Sequence, residues 1–120
     1  MIKSRHFSES EFQRCSPSCS LQNMNQGTMN RFDTVRDLAG IPLVINSAYR
    51  SKEWDKAKGR SGTGAHTLGR AIDIRCNTER NRFLIINSLL KAGFTRIGIA
   101  KTYIHADDSP KPSQEIIWLY

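Results

Sequence analysis

No hydrophobic run in this 120-residue sequence approaches the length of a membrane span. The opening Met1-Ile-Lys-Ser-Arg-His6 carries basic residues with no apolar stretch behind them. No secretory signal is read there, and synthesis in the cytoplasm is the expectation. Acids are the scarcer charge, 11 against 18 lysines and arginines, for a formal net charge of +7. Such a surface favours anionic partners. The basic residues are scattered, however, and lack the regular aromatic interleaving of a nucleic-acid groove, so neither nucleic acid nor membrane is expected as a partner. Cysteine is sparse: Cys15, Cys19 and Cys76 cannot all pair within one chain, and a cytoplasmic thiol stays reduced. Cys15 and Cys19 also have the spacing of half a closed zinc site or of a labile disulfide. Cys76 and His6 are the evident further ligands for such a site.

What is present describes a folded unit. Hydrophobic residues make up 38% and charged residues 24%, without the signature of disorder, and the length suits one domain of two packed layers. Ser8 to Glu11 has the spacing of a capping box, which predicts a short helix to about Arg14. A polar segment, Cys15 to Gly27, reads as loop or arm. Met29, Phe32, Val35, Leu38 and Ala39 recur at helical spacing, with Gly40 as a left-handed stop. Pro42 then gives way to a strand over Leu43–Ile45. Residues 51–65 read as a long, partly glycine-rich loop with a helical turn near Glu53–Ala57. Ala71–Arg75 alternates as a strand, and Phe83, Ile86, Leu89 and Leu90 mark a helix over Glu79–Ala92 stopped by Gly93. Strands follow at Arg96–Ala100, Tyr103–Asp107 and Glu115–Tyr120. This order predicts a single-domain α+β fold: a mainly antiparallel sheet flanked by helices, with residues 1–28 packed on a core of residues 29–120.

Within that frame, Asp73 points away from Ile72 and Ile74, and His105 and Asp107 share the face opposite Ile104 and Ala106. His66 precedes Asp73 by seven residues, with Gly69 available for a turn that brings the imidazole over the carboxylate. Two imidazoles and a carboxylate suit Zn²⁺ in a tetrahedral site whose fourth position is open to water, which is the arrangement of metal-assisted amide hydrolysis. By spacing alone, a shared metal and a set of merely hydrogen-bonded residues both remain open.

Gly64-Ala-His-Thr-Leu-Gly-Arg-Ala-Ile-Asp73 resembles the Ser-x-His-x-x-Gly-x-Ala-x-Asp signature of the zinc D-alanyl-D-alanine carboxypeptidase family. That family includes phage endolysins cutting the L-alanyl-D-glutamate bond and the vancomycin-resistance D,D-dipeptidases. Tyr103-Ile-His-Ala-Asp107 is similar to the Ile-His-Val-Asp ending of its smaller, often phage-encoded members, and Trp118-Leu-Tyr120 to their closing strand. The likeness spans roughly residues 29–120. It implies Zn²⁺ on His66, Asp73 and His105, a zinc site on the sheet face, and a peptidoglycan stem peptide as substrate. It also implies that Arg50, in Ser47-Ala-Tyr-Arg50, holds substrate or polarises its carbonyl; beside it Ser47 is read as a substrate contact, and Tyr49 as a substrate contact or a packing residue.

Two departures matter. Gly64 replaces the signature serine, and Thr102 stands where many members carry the general base, three residues before the last histidine. Threonine cannot take that proton at neutral pH. Asp107 is the nearest acid and the candidate base, its competing role being to accept the ring N–H of a zinc histidine. The expectation is a monomeric cell-wall peptidase, made without a signal peptide and acting on the wall after release or from a virion. The alternative is a zinc-stabilised wall-binding module without turnover.

Overall fold

The structure, a computed structural model, describes residues 1–13, 16–17 and 19–120. Side chains that satisfy free backbone N–H groups decide where its helices begin. Helix α1 (Glu9–Phe12) follows Ser8, whose N–H donates to the Glu11 carboxylate at 2.7 Å. Helix α2 (Gln26–Ala39) starts three residues before its expected first apolar position, because the Asn25 side chain accepts from Thr28 N–H. It ends at Gly40 in the left-handed region, φ 68°. Ser51 caps α3 (Lys52–Ala57), and Thr78 caps α4 (Glu79–Lys91). Single 3-10 turns lie at Leu21–Asn23 and Ala65–Leu68.

Five strands, β1 (Ile45–Ser47), β2 (Ala71–Arg75), β3 (Arg96–Ile99), β4 (Tyr103–Asp107) and β5 (Ile116–Leu119), form one sheet in the order β1-β2-β4-β3-β5. All neighbours run antiparallel except β3 and β5, which are parallel. The α+β class and the mainly antiparallel sheet are therefore as expected. Strand β1 begins two residues later than the apolar run suggested. Leu43 enters the core, and Val44 offers only its carbonyl, which accepts from Arg75 N–H at 2.8 Å. Among the described residues, no helix is long and apolar enough to cross a membrane.

One face of the sheet is hydrophobic. Ile72, Ile74, Ile97, Ile104 and Ala106 join Phe32 and Val35 of α2 and Ile85 and Leu89 of α4 in one cluster, with Phe32 and Phe94 rings 4.6 Å apart. Phe7, Phe12, Leu21 and Met24 belong to the same cluster, so the first 28 residues contribute to the core itself. Asp33 ties them down, accepting from Ser4 Oγ at 2.7 Å and from the N–H groups of Arg5 and His6 at 3.1 Å each. Helix α4 is turned relative to its expected stripe: Ile85, Ser88 and Leu89 face inward, whereas Phe83 is 66% and Leu90 51% exposed. The helix has apolar residues on more than one side, and the i, i+4 pair Ile85 and Leu89 is the one that meets the core. Ser88 is tolerated there because its hydroxyl donates to the Leu84 carbonyl at 2.7 Å.

Gly69 is the hinge between the 3-10 turn at Ala65–Leu68 and strand β2. Its φ is 69°, its carbonyl accepts from Asn25 N–H at 2.8 Å, and a Cβ placed on it would lie 2.2 Å from the Asn23 carbonyl oxygen. Gly69→Ala should therefore destabilise the fold by at least about 2 kcal/mol. Urea unfolding would show this as a lowered midpoint with an unchanged slope, and an unaltered midpoint would contradict the tight packing of this turn.

Candidate metal centre

The β2/β4 register sets Asp73 directly beside His105, and both point to the sheet face opposite the isoleucines. On β2 the alternation leaves a carboxylate among buried neighbours, where it is stable only with partners. It has three. Its Oδ1 lies 2.9 Å from His105 Nδ1 and 3.2 Å from His66 Nε2, and its Oδ2 lies 3.7 Å from the Arg50 guanidinium. His66, Asp73 and His105 are each less than a tenth exposed, and their candidate donor atoms lie within 4.8 Å of one another. Ligands of a tetrahedral zinc ion lie about 3.3 Å apart, so the spacing around Asp73 Oδ1 is already that of a ligand set.

Each imidazole is oriented by its other nitrogen. The 3-10 turn places His66 Nδ1 2.7 Å from the Ala48 carbonyl, which can only accept, so Nδ1 carries a proton and Nε2 is the nitrogen turned toward Asp73. His105 Nε2 lies 2.6 Å from Asp107 Oδ2, which likewise makes Nε2 the donor and turns Nδ1 toward Asp73. A histidine that donates its far nitrogen to a carbonyl or carboxylate is the usual support of a metal ligand. The donor set and its anchors thus fit a zinc ion.

Asp107 is 1% exposed and has both oxygens engaged. Besides His105, it accepts from Arg96 Nε at 3.0 Å and from Ser109 N–H at 3.1 Å. Arg96 sits opposite Asp107 in the β3/β4 register, and its Nη1 donates to the carbonyls of Pro112 and Ser113 at 3.1 and 2.7 Å. Sequence reasoning missed Arg96, which reads as one more solvated cation until the strand pairing is known.

Electrostatics follow from this packing. Burial opposes charge on Asp73, yet hydrogen bonds from His105 and His66 hold its carboxyl well below the usual carboxylate range. Burial likewise disfavours a charged His105, but hydrogen bonds to Asp107 and Asp73 outweigh it and raise the imidazole above its ordinary value. Asp107 is lowered against the effect of its own burial, chiefly by His105 and then by Ser109 N–H and Arg96.

The other expected site residues divide. Ser47 pairs with Asp73 in the β1/β2 register, and its Oγ accepts from Arg50 at 3.2 Å. Arg50 itself lies 3.8 Å from the buried carboxylate of Asp55, a partner the sequence did not suggest. Asp55 also accepts from Gly62 N–H at 3.0 Å, which ties the glycine-rich loop to the site. Tyr49 is half-buried and packs against the hydrophobic core. Thr102 lies exposed in the turn before β4, where its carbonyl accepts from Cys76 N–H at 2.9 Å. Cys15 lies outside the described residues. Cys19 and Cys76 are buried, the Cys76 thiol donating to the Thr78 carbonyl, and His6 pairs with Asp37.

Two outcomes are expected in zinc titrations. Zinc must displace the His105 Nδ1 proton, so binding is full above the raised imidazole pKa and weakens as pH falls through it, by about tenfold per pH unit. The decline should begin above the ordinary value of about 6.5. Asp107→Asn should weaken zinc by about 10–100-fold. Binding that is indifferent to both pH and this substitution would contradict the assigned orientation of His105.

A model of the family described as Peptidase M15 matches residues 5–107 of the chain. No curated protein matches it.

Proposed function

Because the chain belongs to the peptidase M15 family, we propose that it hydrolyses a peptide bond of the peptidoglycan stem, one involving D-amino acids, with a zinc ion held by His66, Asp73 and His105. The observation that carries this reading is the buried His-Asp-His group whose two imidazoles are each fixed by a hydrogen bond on the far side of the ring. A net charge of +7 suits an anionic wall polymer. Release in a phage or prophage lysis programme, or carriage on a virion, is the biological setting proposed for it.

Zinc in this site supplies a Lewis acid for the scissile carbonyl and an acidified water as nucleophile. The protein's own groups do the positioning. His66 is locked in the tautomer that leaves Nε2 free, and Asp107 holds His105 in the one that leaves Nδ1 free. With both Asp107 oxygens already accepting hydrogen bonds inside the fold, the geometry supports this holding role over that of general base. Arg50 stands beside the group at fixed range, steered by Ser47 on one side and Asp55 on the other. Its remaining N–H donors can take a substrate carboxylate or the oxygen of the polarised carbonyl as negative charge develops there. Burial of the site strengthens that interaction relative to water.

Incubation of zinc-loaded protein with purified peptidoglycan should create new amino and carboxyl ends, whose identity names the bond. Chelator should abolish this and added zinc restore it, His66→Ala should be inactive, and Arg50→Ala should lower kcat/KM by about 100-fold or more. Zinc uptake and wall binding without any new ends would reject the enzyme in favour of a binding module.

A further inference from the structure

One row of residues crosses the whole sheet on the metal face: Ser47, Asp73, His105, Gly98 and Trp118 are in register from β1 to β5. The row changes in chemistry from one end to the other. Arg50 stands at the Ser47 end, the ligand group occupies the middle, and the β5 end is aromatic. At that end Gly98 leaves a slot, since a Cβ there would meet Trp118 Nε1 at 2.6 Å and Tyr120 at 2.7 Å. The two rings therefore lie over β3, and the Trp118 ring centre comes within 5.5 Å of His105. Tyr120 lies 6.2 Å from Trp118 and 5.5 Å from Tyr103, which completes a wall of three rings along the edge of the site. Arg96, already fixed by Asp107, packs over the indole at 5.4 Å and holds it in place.

This wall is not closed over. Tyr120 is 65% exposed, and Trp118 and Tyr103 are only half-buried. Aromatic rings with a stacked, fixed geometry and a free face bind uncharged C–H surfaces, and they do so without the desolvation cost of a charged pocket. We propose that Trp118, Tyr120 and Tyr103 form a substrate subsite that takes an uncharged C–H face, while the substrate runs across the strands with its anionic part toward Arg50. The inference rests on the peptidase reading above and adds the direction in which substrate lies. A C–H face of this kind is offered by an aliphatic side chain of the stem peptide or by the ring of an attached sugar, and the two can be told apart.

The test uses zinc-loaded Trp54→Phe protein, in which Trp118 is the remaining tryptophan of the two. It is titrated with a stem tetrapeptide and with the same peptide carrying N-acetylmuramic acid, following indole emission. Saturable change with both ligands assigns the subsite to the peptide, and change with the sugar-bearing ligand alone assigns it to the sugar. In the otherwise native protein, Tyr120→Ala should raise KM about five- to tenfold for the assigned ligand, with kcat and zinc affinity within about twofold. Trp118→Phe should give a smaller rise, and a circular dichroism spectrum unchanged from the parent guards against misfolding. Turnover of wall peptide with unmoved emission and an unmoved KM in Tyr120→Ala would overturn the subsite while leaving the peptidase intact. Saturable emission change without turnover would overturn the peptidase and keep the subsite, and absence of both would remove the two together.

Discussion

The pairing of Asp73 with His105 across β2 and β4 is the interaction on which this structure turns. A carboxylate less than a tenth exposed is sustained only by partners that offset its lost hydration. The antiparallel register supplies one imidazole, and the turn closed at Gly69 supplies the other. A shift of one residue in that register would send one of the two side chains into the isoleucine face and leave it and its former partner without each other. The hydrophobic alternation of Ile72, Ile74 and Ile104 therefore does more than build a core. It specifies which face carries the chemistry.

Around this pair the support extends outward in steps. His66 is held by a backbone carbonyl, His105 by Asp107, Asp107 by Arg96, and Arg96 by the carbonyls of Pro112 and Ser113. The segment that brings those carbonyls inward includes two non-glycine residues with positive φ, Ser113 at 66° and Glu115 at 59°. Such backbone persists where the surrounding contacts determine it, and here it lies between the end of β4 and the strand that carries Trp118. The same guanidinium thus steadies a ligand histidine through Asp107 and the aromatic wall through stacking. The His-Asp-His group and the aromatic wall on this face therefore share one anchor.

Much of this was legible in the residues and some was not. The strands over Ala71–Arg75 and Tyr103–Asp107, the stops at Gly40 and Gly93, and the grouping of His66, Asp73 and His105 follow from local periodicity, glycine chemistry and a ten-residue signature. Partners recruited from afar were hidden. A backbone carbonyl such as that of Ala48 has no sequence mark, and Arg96 and Asp55 look like ordinary surface charges until register and loop closure bring them to their partners. The parallel placement of β5 beside β3 is a non-local pairing, so the position of Trp118 over Gly98 could not be read along the chain. The stripe on α4 was misjudged for a related reason. Apolar residues on two sides of a helix leave its rotation to be settled by the core it meets.

The central claim is that a single ion joins His66 Nε2, Asp73 Oδ1 and His105 Nδ1. Anomalous diffraction at the zinc edge from zinc-loaded crystals tests it most directly. The account predicts one strong peak within bonding distance of those three atoms, with His105 Nε2 still on Asp107. A peak on the buried cysteines, coordination through His105 Nε2, or no peak at the sheet face would contradict it.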